Sequence, residues 1–249
     1  MDSVDFNTHE KFKNFPPLYT EQINNLTLSK QLEIWHKIIN DEVTANYSLH
    51  KLGTASVNFP PFKNEEILRN VDVSFLALIL GYLVEKQYAF YLHPIQFFCK
   101  KNNVSIWGAL FLKKSHKGST LYQIHQDYTK ALNSKDNKVE GDEIESLKKK
   151  RNLLLKSKFN FGVFPYPLTE MANSVLECIK SQCTTRDIET VYHIFYSKRE
   201  CNKDFNKFPE ENLAFILSYL CVNNKLTLSF NDSVPLDSLN NKNVGLQLL

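Results

Sequence analysis

FPPLYTEQINNLTLSKQLEIWHKII, residues 15–39, joins two kinds of local order in one line. Pro16 and Pro17 have fixed φ, which predicts a polyproline II segment presenting Leu18 and Tyr19 at little cost in ordering entropy. Exposed aromatic side chains on such a segment serve as anchors for an aromatic-lined groove. Thr27 is a suitable N-cap. After it, Leu28, Leu32, Trp35, Ile38 and Ile39 share one face and predict an amphipathic helix over about 28–43. The reading is a docking arm in front of a small folded domain. It points towards an assembly subunit and away from an enzyme.

Working outward, residues 1–14 are polar, of mixed charge, and read as a disordered tail. Residues 44–62 read as a loop ending in Phe59-Pro-Pro-Phe62, and 63–70 as a short helix. Asp72 caps a strongly apolar helix at 73–87, and the aromatic run Tyr88–His93 reads as a strand. The second half repeats this order. Phe159–Phe164 reads as a strand, then helices follow at 168–181 and from a Thr185 cap to 196. A third helix has Pro209 at its first position, with Glu210 and Glu211 suiting the positive end of its dipole. Lys225–Phe230 and Val244–Leu249 read as a two-stranded wing joined by the polar loop Asn231–Asn243. Helix, helix, helix, wing is the order of a winged helix, so the expected fold is mostly α with small β wings (α+β), as two tandem winged-helix domains. The expected boundaries are a tail at 1–14, a first domain at 15–164 and a second at 165–249. The first domain would carry an insertion at about 95–157. Within the insertion, Ile106–Leu112 suggests a strand, Leu121–Leu132 a helix, and Lys135–Arg151 a mobile, charge-mixed stretch.

Composition narrows the function. A 43% hydrophobic fraction with 12% aromatic residues over 249 residues is ample for folded cores, and only seven glycines argue against phosphate loops. A formal net charge of +3 offers no electrostatic case for nucleic acid or membrane as the main partner. No apolar run near the amino terminus reads as a secretory or transit signal, and none reaches the length of a bilayer span. A soluble intracellular protein is therefore expected. Cys99, Cys178, Cys183, Cys201 and Cys221 show no metal spacing and read as reduced thiols.

No catalytic constellation stands out. A Gly-rich phosphate loop, HExxH and GxSxG are all absent from the sequence, and the histidines are scattered singly. His36 reads as a boundary residue, and Lys148-Lys-Lys-Arg151 as a solvated linker face in preference to a nuclear signal or lipid contact. No enzyme activity, cofactor or metal is expected. A winged helix that reads DNA presents basic and amide side chains on its third helix. Here those helices read VSFLALILGYLVEKQ and PEENLAFILSYLCVNNK, too apolar or acidic to neutralise several phosphates. A nucleic-acid-binding winged helix therefore stands as an alternative, as does a WW-domain ligand of the PPxY pattern at Pro16–Tyr19.

The same residues resemble the amino-terminal signature of the vacuolar protein sorting-associated protein 25 family, the smallest subunit of ESCRT-II. A Phe-Pro-Pro-aromatic arm (Phe15–Tyr19), a Gln/Asn spacer (Gln22–Asn25), a Thr at the helix start (Thr27) and a helical Trp (Trp35) occur in the family's order. Phe62-Lys-Asn64 through Arg69 is similar to its second helix, and Thr190-Val-Tyr192 to a later helix with His193 in place of Glu. Asp204–Glu210 is similar to the lead into its last helix, and Val244–Leu249 to its closing strand. Two departures stand out. The family's Trp is replaced within Phe164–Met171, and segment 95–157 has no counterpart in the short members.

The resemblance implies a non-catalytic adaptor, cytoplasmic and recruited to the endosomal membrane, whose contact with the membrane is only indirect. Two copies would join one copy each of two other ESCRT-II subunits in a Y-shaped hetero-tetramer. Phe15, Pro16, Pro17, Leu18 and Tyr19 would bind those core subunits, with Pro16, Pro17 and Tyr19 in an apolar pocket. The second winged helix would recruit the initiating ESCRT-III subunit for multivesicular body cargo sorting. The residues making that contact are unknown, with loop Asn231–Asn243 and the exposed face of 185–196 as candidates. An exposed arm also predicts that Tyr19→Ala loosens assembly and leaves the chain's own melting temperature almost unchanged.

Overall fold

The computed structural model describes residues 8–46, 49–112, 120–134, 143–156, 158–183, 188–197, 205 and 207–249. The chain begins with α1 (Thr8–Phe12), a 3-10 turn at Pro16–Tyr19, α2 (Asn25–Asn46), β1 (Lys51–Gly53) and a second 3-10 turn at Thr54–Asn58. β2 (Lys63–Asn64), β3 (Arg69–Asn70), α3 (Val73–Glu85) and β4 (Ala89–Tyr91) follow. Next come α4 (Leu92–Asn102), α5 (Ile106–Ala109), α6 (Thr120–Ser134), α7 (Glu143–Leu154) and β5 (Asn160–Val163). The last stretch holds α8 (Leu168–Lys180), β6 (Glu189–Thr190), α9 (Val191–Phe195), α10 (Glu210–Val222), β7 (Leu226–Phe230) and β8 (Val244–Leu248).

Two compact units result. Residues 1–91 with 130–166 make the first, and 92–129 with 167–249 the second. Segment 92–159, which separates β4 from β5, thus gives α4, α5 and most of α6 to the second unit and α7 to the first.

In the first unit the antiparallel sheet runs β1-β5-β4, with Leu52 opposite Phe161 and Phe90 opposite Gly162. Gly162 is required here, because a Cβ would sit 2.1 Å from a Phe90 ring carbon. The predicted α2 stripe is buried as expected. Trp35 at its centre stacks on Phe62 with ring centroids 5.3 Å apart. Each such side chain contributes roughly 1.5–3 kcal/mol by leaving water. Asp72 caps α3, its carboxylate accepting from Phe75 N at 2.7 Å.

In the second unit α8 buries Leu168, Met171, Val175 and Ile179, as their spacing predicts. The sheet runs β6-β8-β7 with Leu228 opposite Leu246, the same strand order as in the first unit. Each unit is a winged helix, so the fold is mostly helical with small antiparallel sheets in tandem winged-helix domains.

Several elements differ from the expectation, each for a local reason. Asn24, rather than Thr27, caps α2: its side-chain oxygen accepts from Leu26 N and Thr27 N at 2.9 and 3.2 Å. Residues 63–70 form the β2–β3 hairpin instead of a helix. The Asn64 side chain accepts from Glu66 N at 2.9 Å, and Leu68 sits at φ 51°, outside helical backbone. Ile106–Ala109 is a helical turn and no strand, because the Ser105 hydroxyl accepts from Gly108 N at 2.9 Å. Residues 143–151 belong to α7. Its polar composition hid a buried stripe of Ile144, Leu147 and Leu154. Residues 8–12 are helical. The expected Thr185 cap lies outside the described residues, and Thr190 caps α9, accepting from His193 N at 3.1 Å. Among the described residues, no helix is long and apolar enough to cross a membrane.

Candidate partner-binding site

The Phe15–Tyr19 segment is a 3-10 turn rather than a polyproline II arm. Leu18 N donates to Phe15 O at 2.9 Å, and Thr20 N to Pro17 O at 3.4 Å. One side chain explains the choice of turn. Gln31, on the apolar face of α2, donates through Nε2 to the carbonyls of Pro17, Leu18 and Thr20 at 2.8, 2.9 and 2.9 Å. Trp35 Nε1 donates to the Leu18 carbonyl at 3.0 Å. Extended backbone would carry these carbonyls apart, while the turn gathers them onto the Gln31 amide and the Trp35 indole, with Gln22 Nε2 donating as well to Pro17 O and Thr20 O at 3.2 and 2.9 Å. Gln31 is itself buried, so its bonds also satisfy a polar group that would otherwise be costly to enclose.

The turn divides the five predicted site residues. Leu18 and Tyr19 are each 2% exposed and point into their own unit. The Tyr19 ring meets Trp35 edge-on at 6.0 Å, and its hydroxyl donates to Lys13 O at 3.0 Å. Burial pushes the Tyr19 phenol above its ordinary pKa. Phe15, at 53% exposure, and both Pro16 and Pro17 face outward. Ile23, just before α2, and Leu26, in its first turn, are 96% and 76% exposed and add apolar surface close by in sequence. A WW ligand needs its tyrosine free on an extended backbone, and this turn provides neither.

A cavity of about 410 Å³ lies beside the turn, lined by Lys13, Asn58, Pro60, Lys63, Asn64 and acidic neighbours. Asn64 Nδ2 donates to Lys13 O at 2.7 Å, which ties the β2–β3 hairpin to the chain before the turn. The cavity's charges are largely paired, Lys13 with Glu10 at 2.6 Å and Lys63 with Glu65 at 2.8 Å. Its rim is polar, with two lysines against three glutamates.

The basic run Lys148–Arg151 is part of an ion-pair seam. Lys148 donates to Asn25 Oδ1 at 3.0 Å, Lys150 reaches Glu85, and Arg151 reaches Glu21 at 2.6 Å. Glu21 and Asn25 flank the spacer after the turn, so α7 braces the segment that carries the candidate site.

In the second unit, the loop Asn231–Asn243 and α9 are joined. Tyr192 N donates to Asn241 O at 2.8 Å, and the Lys242 ammonium lies 4.9 Å over the Tyr192 ring. The loop is held from behind, its Leu236 and Leu239 carbonyls accepting from Ser105 Oγ at 3.2 and 2.7 Å. Ile188 and part of Tyr192 remain exposed. Among the described residues no group of three or more His, Cys, Asp or Glu could hold a metal. Burial pushes the Cys99 thiol up to about 11 and Cys221 to about 12, so neither is a thiolate near neutral pH.

Sequence reading missed Gln31 as a site residue. The signal was present: it falls between Leu28 and Trp35 on the buried face, where a polar side chain must find partners. Ser105 and the α7 seam had no such signal, because their partners lie far along the chain.

Comparison with known proteins places these features. Residues 12–133 match the family model described as ESCRT-II complex subunit. Among curated proteins, none matches the sequence. The crystal structure of subunit VPS25 of the endosomal trafficking complex ESCRT-II is similar at 17% identity and a TM-score of 0.56, covering 96% of this chain and 97% of that one. The VPS22/VPS25/VPS36 crystal structure of endosomal complex ESCRT-II contains a chain similar at 16% identity and TM-score 0.56, covering 96% of this chain and 98% of that one. At these identities the structural likeness establishes the fold.

Proposed function

We propose that the chain, whose residues 12–133 match the ESCRT-II complex subunit family model, is the non-catalytic adaptor of such a complex, in the place VPS25 occupies. It joins the two other subunits through the first winged helix, two copies entering a hetero-tetramer. Phe15, Pro16 and Pro17 make the outward contact, while Leu18 and Tyr19 hold the turn in shape from behind. The second winged helix recruits and nucleates ESCRT-III for cargo sorting, and the protein reaches the endosomal membrane from the cytoplasm through its complex.

The observation that supports this reading is the division of the turn. Gln31 and Trp35 lock its inner side, and an apolar outer edge is left with no use inside the unit. A pre-formed apolar edge binds at lower ordering cost than a mobile arm. The test is co-purification of tagged full-length chain from its native cells, wild type beside a Phe15/Pro16/Pro17→Ala variant. The reading stands if wild type recovers the two other ESCRT-II subunits and the variant, equally folded by circular dichroism, loses them. It falls if wild type recovers neither.

A further inference from the structure

Both third helices of this chain are covered from one stretch of sequence. In a DNA-reading winged helix the third helix lies in the major groove. α3 and α10 hold that place, each leading into the strands of its unit's wing.

Every residue of α3 from Phe75 to Leu83 is buried. α7 lies along it. Leu147 sits over Gly81, where an added Cβ would meet Leu147 Cδ2 at an ordinary 3.7 Å. Two ion pairs fix the register, Lys150 with Glu85 and Lys86 with Glu143, the latter at 3.2 Å.

α10 is buried from Asn212 to Ser218. α5 and the first residues of α6, 121–125, lie on it. Trp107, itself buried, donates through Nε1 to Glu210 Oε2 at 3.0 Å in the first turn. Tyr122 N donates to Ser218 Oγ at 2.9 Å. The Tyr122 ring stands edge-on to Phe215 and Tyr219 at 5.7 and 5.1 Å, and His125 edge-on to Phe215 at 5.3 Å. A buried Trp107 with half-buried Tyr122 and His125, tied by hydrogen bonds, is the anatomy of a protein interface, made here within one chain.

We propose that α5, the start of α6, and α7, all inserted between β4 and β5, are cis-acting occupants of the two third helices. They close the two surfaces that a winged helix offers to duplex nucleic acid or to a partner's helix. The occupancy is double and independent, since α7 belongs to the first unit and α5 with the start of α6 to the second. It does not depend on which complex the chain joins.

The test is hydrogen exchange read by mass spectrometry on the full chain, with binding of an anilinonaphthalene dye as a second readout. Leu147→Asp is expected to speed exchange across α3 by about tenfold or more and to raise dye binding, with α10 unchanged. Tyr122→Ala is expected to do the same across α10, with α3 unchanged. Should Leu147→Asp unfold the chain, Lys150→Ala loosens the same cover more mildly and is expected to give the α3 pattern at smaller amplitude. If α7, or α5 and the start of α6, exchange faster while α3 and α10 keep wild-type protection and the dye does not bind, these elements are not their cover and the proposal is overturned.

Discussion

The Trp35 indole N–H donates to the Leu18 carbonyl at 3.0 Å across a separation of seventeen residues. Gln31 Nε2 reaches the same oxygen at 2.9 Å. The pair makes the amino-terminal turn part of the first unit's core. Removing the two donors should have unequal effects. Trp35→Phe keeps the stack on Phe62 and leaves the carbonyl one donor, so about 1 kcal/mol should be lost. Gln31→Leu removes one donor from each of three carbonyls, of Pro17, Leu18 and Thr20, leaving them to Gln22 and Trp35, and should cost on the order of 2 kcal/mol or more. Chemical denaturation of both variants checks the order. Equal losses would mean that Gln31 does not organise the turn.

Tyr19 carries a corrected expectation. An exposed arm would leave the melting temperature of Tyr19→Ala unchanged, but Tyr19 is buried against Trp35. Its truncation should destabilise the unit by roughly 3 kcal/mol, and Tyr19→Phe, which loses the hydroxyl's bond to Lys13 O, by about 1 kcal/mol. Phe15→Ala should leave the melting temperature within a degree or two and weaken assembly instead. Thermal melts beside subunit co-purification separate the two kinds of residue. A Tyr19→Ala chain that melts like wild type would restore the free-arm picture.

How far the sequence could be read follows from the range of each interaction. The α2 stripe, the Asp72 cap, the apolar α3 and the wing strands are all local patterns, and the structure contains them. The turn at Phe15–Tyr19 is set by Gln31 and Trp35, more than ten residues on, so its di-proline suggested extended backbone instead. The β2–β3 hairpin depended on the Asn64 side chain outweighing weak helical spacing. Segment 92–159 was the least legible. Its helices are short or polar, and their buried faces are defined only by α3 and α10, which lie far away along the chain. Of the candidate site, the residues were legible and their division into inner and outer faces was not.

The second unit should lose stability in mild acid through His125. Burial against Phe215 pushes its pKa down from 6.5 to about 4. The unfolded chain therefore takes up the proton first. Stability is full above about pH 6.5, falls as pH drops towards 4, and levels off below that. The loss across the window is on the order of 3 kcal/mol. His36 and His50, also lowered by burial, add a slope of the same sign in the first unit. His125→Phe should keep the aromatic packing and flatten the second unit's share. The measurement is denaturant unfolding at several pH values between 7 and 4. An unchanged slope in the variant would show that His125 is protonated or accessible in the folded chain.

Two glycines should respond in opposite ways to alanine. At Gly108 an added Cβ would lie 1.9 Å from the Leu236 carbonyl oxygen, a backbone atom that cannot swing aside. To admit the methyl group, α5 must lift from the loop Asn231–Asn243. Lifting would break the Ser105 hydroxyl's bonds to Leu236 O and Leu239 O and disturb Trp107 against Glu210. About 3 kcal/mol should be lost. At Gly81 the added Cβ meets Leu147 at 3.7 Å, an ordinary contact in the middle of α3. There the methyl removes glycine's excess freedom in the unfolded chain, and a gain of up to about 1 kcal/mol is expected. Both positions are buried and both are helical, so burial or helix propensity alone would assign them the same sign. Denaturant unfolding of the two variants side by side decides the matter. A Gly108→Ala chain as stable as wild type would mean that α5 does not press on the loop, and the cover over α10 would lose its inner support.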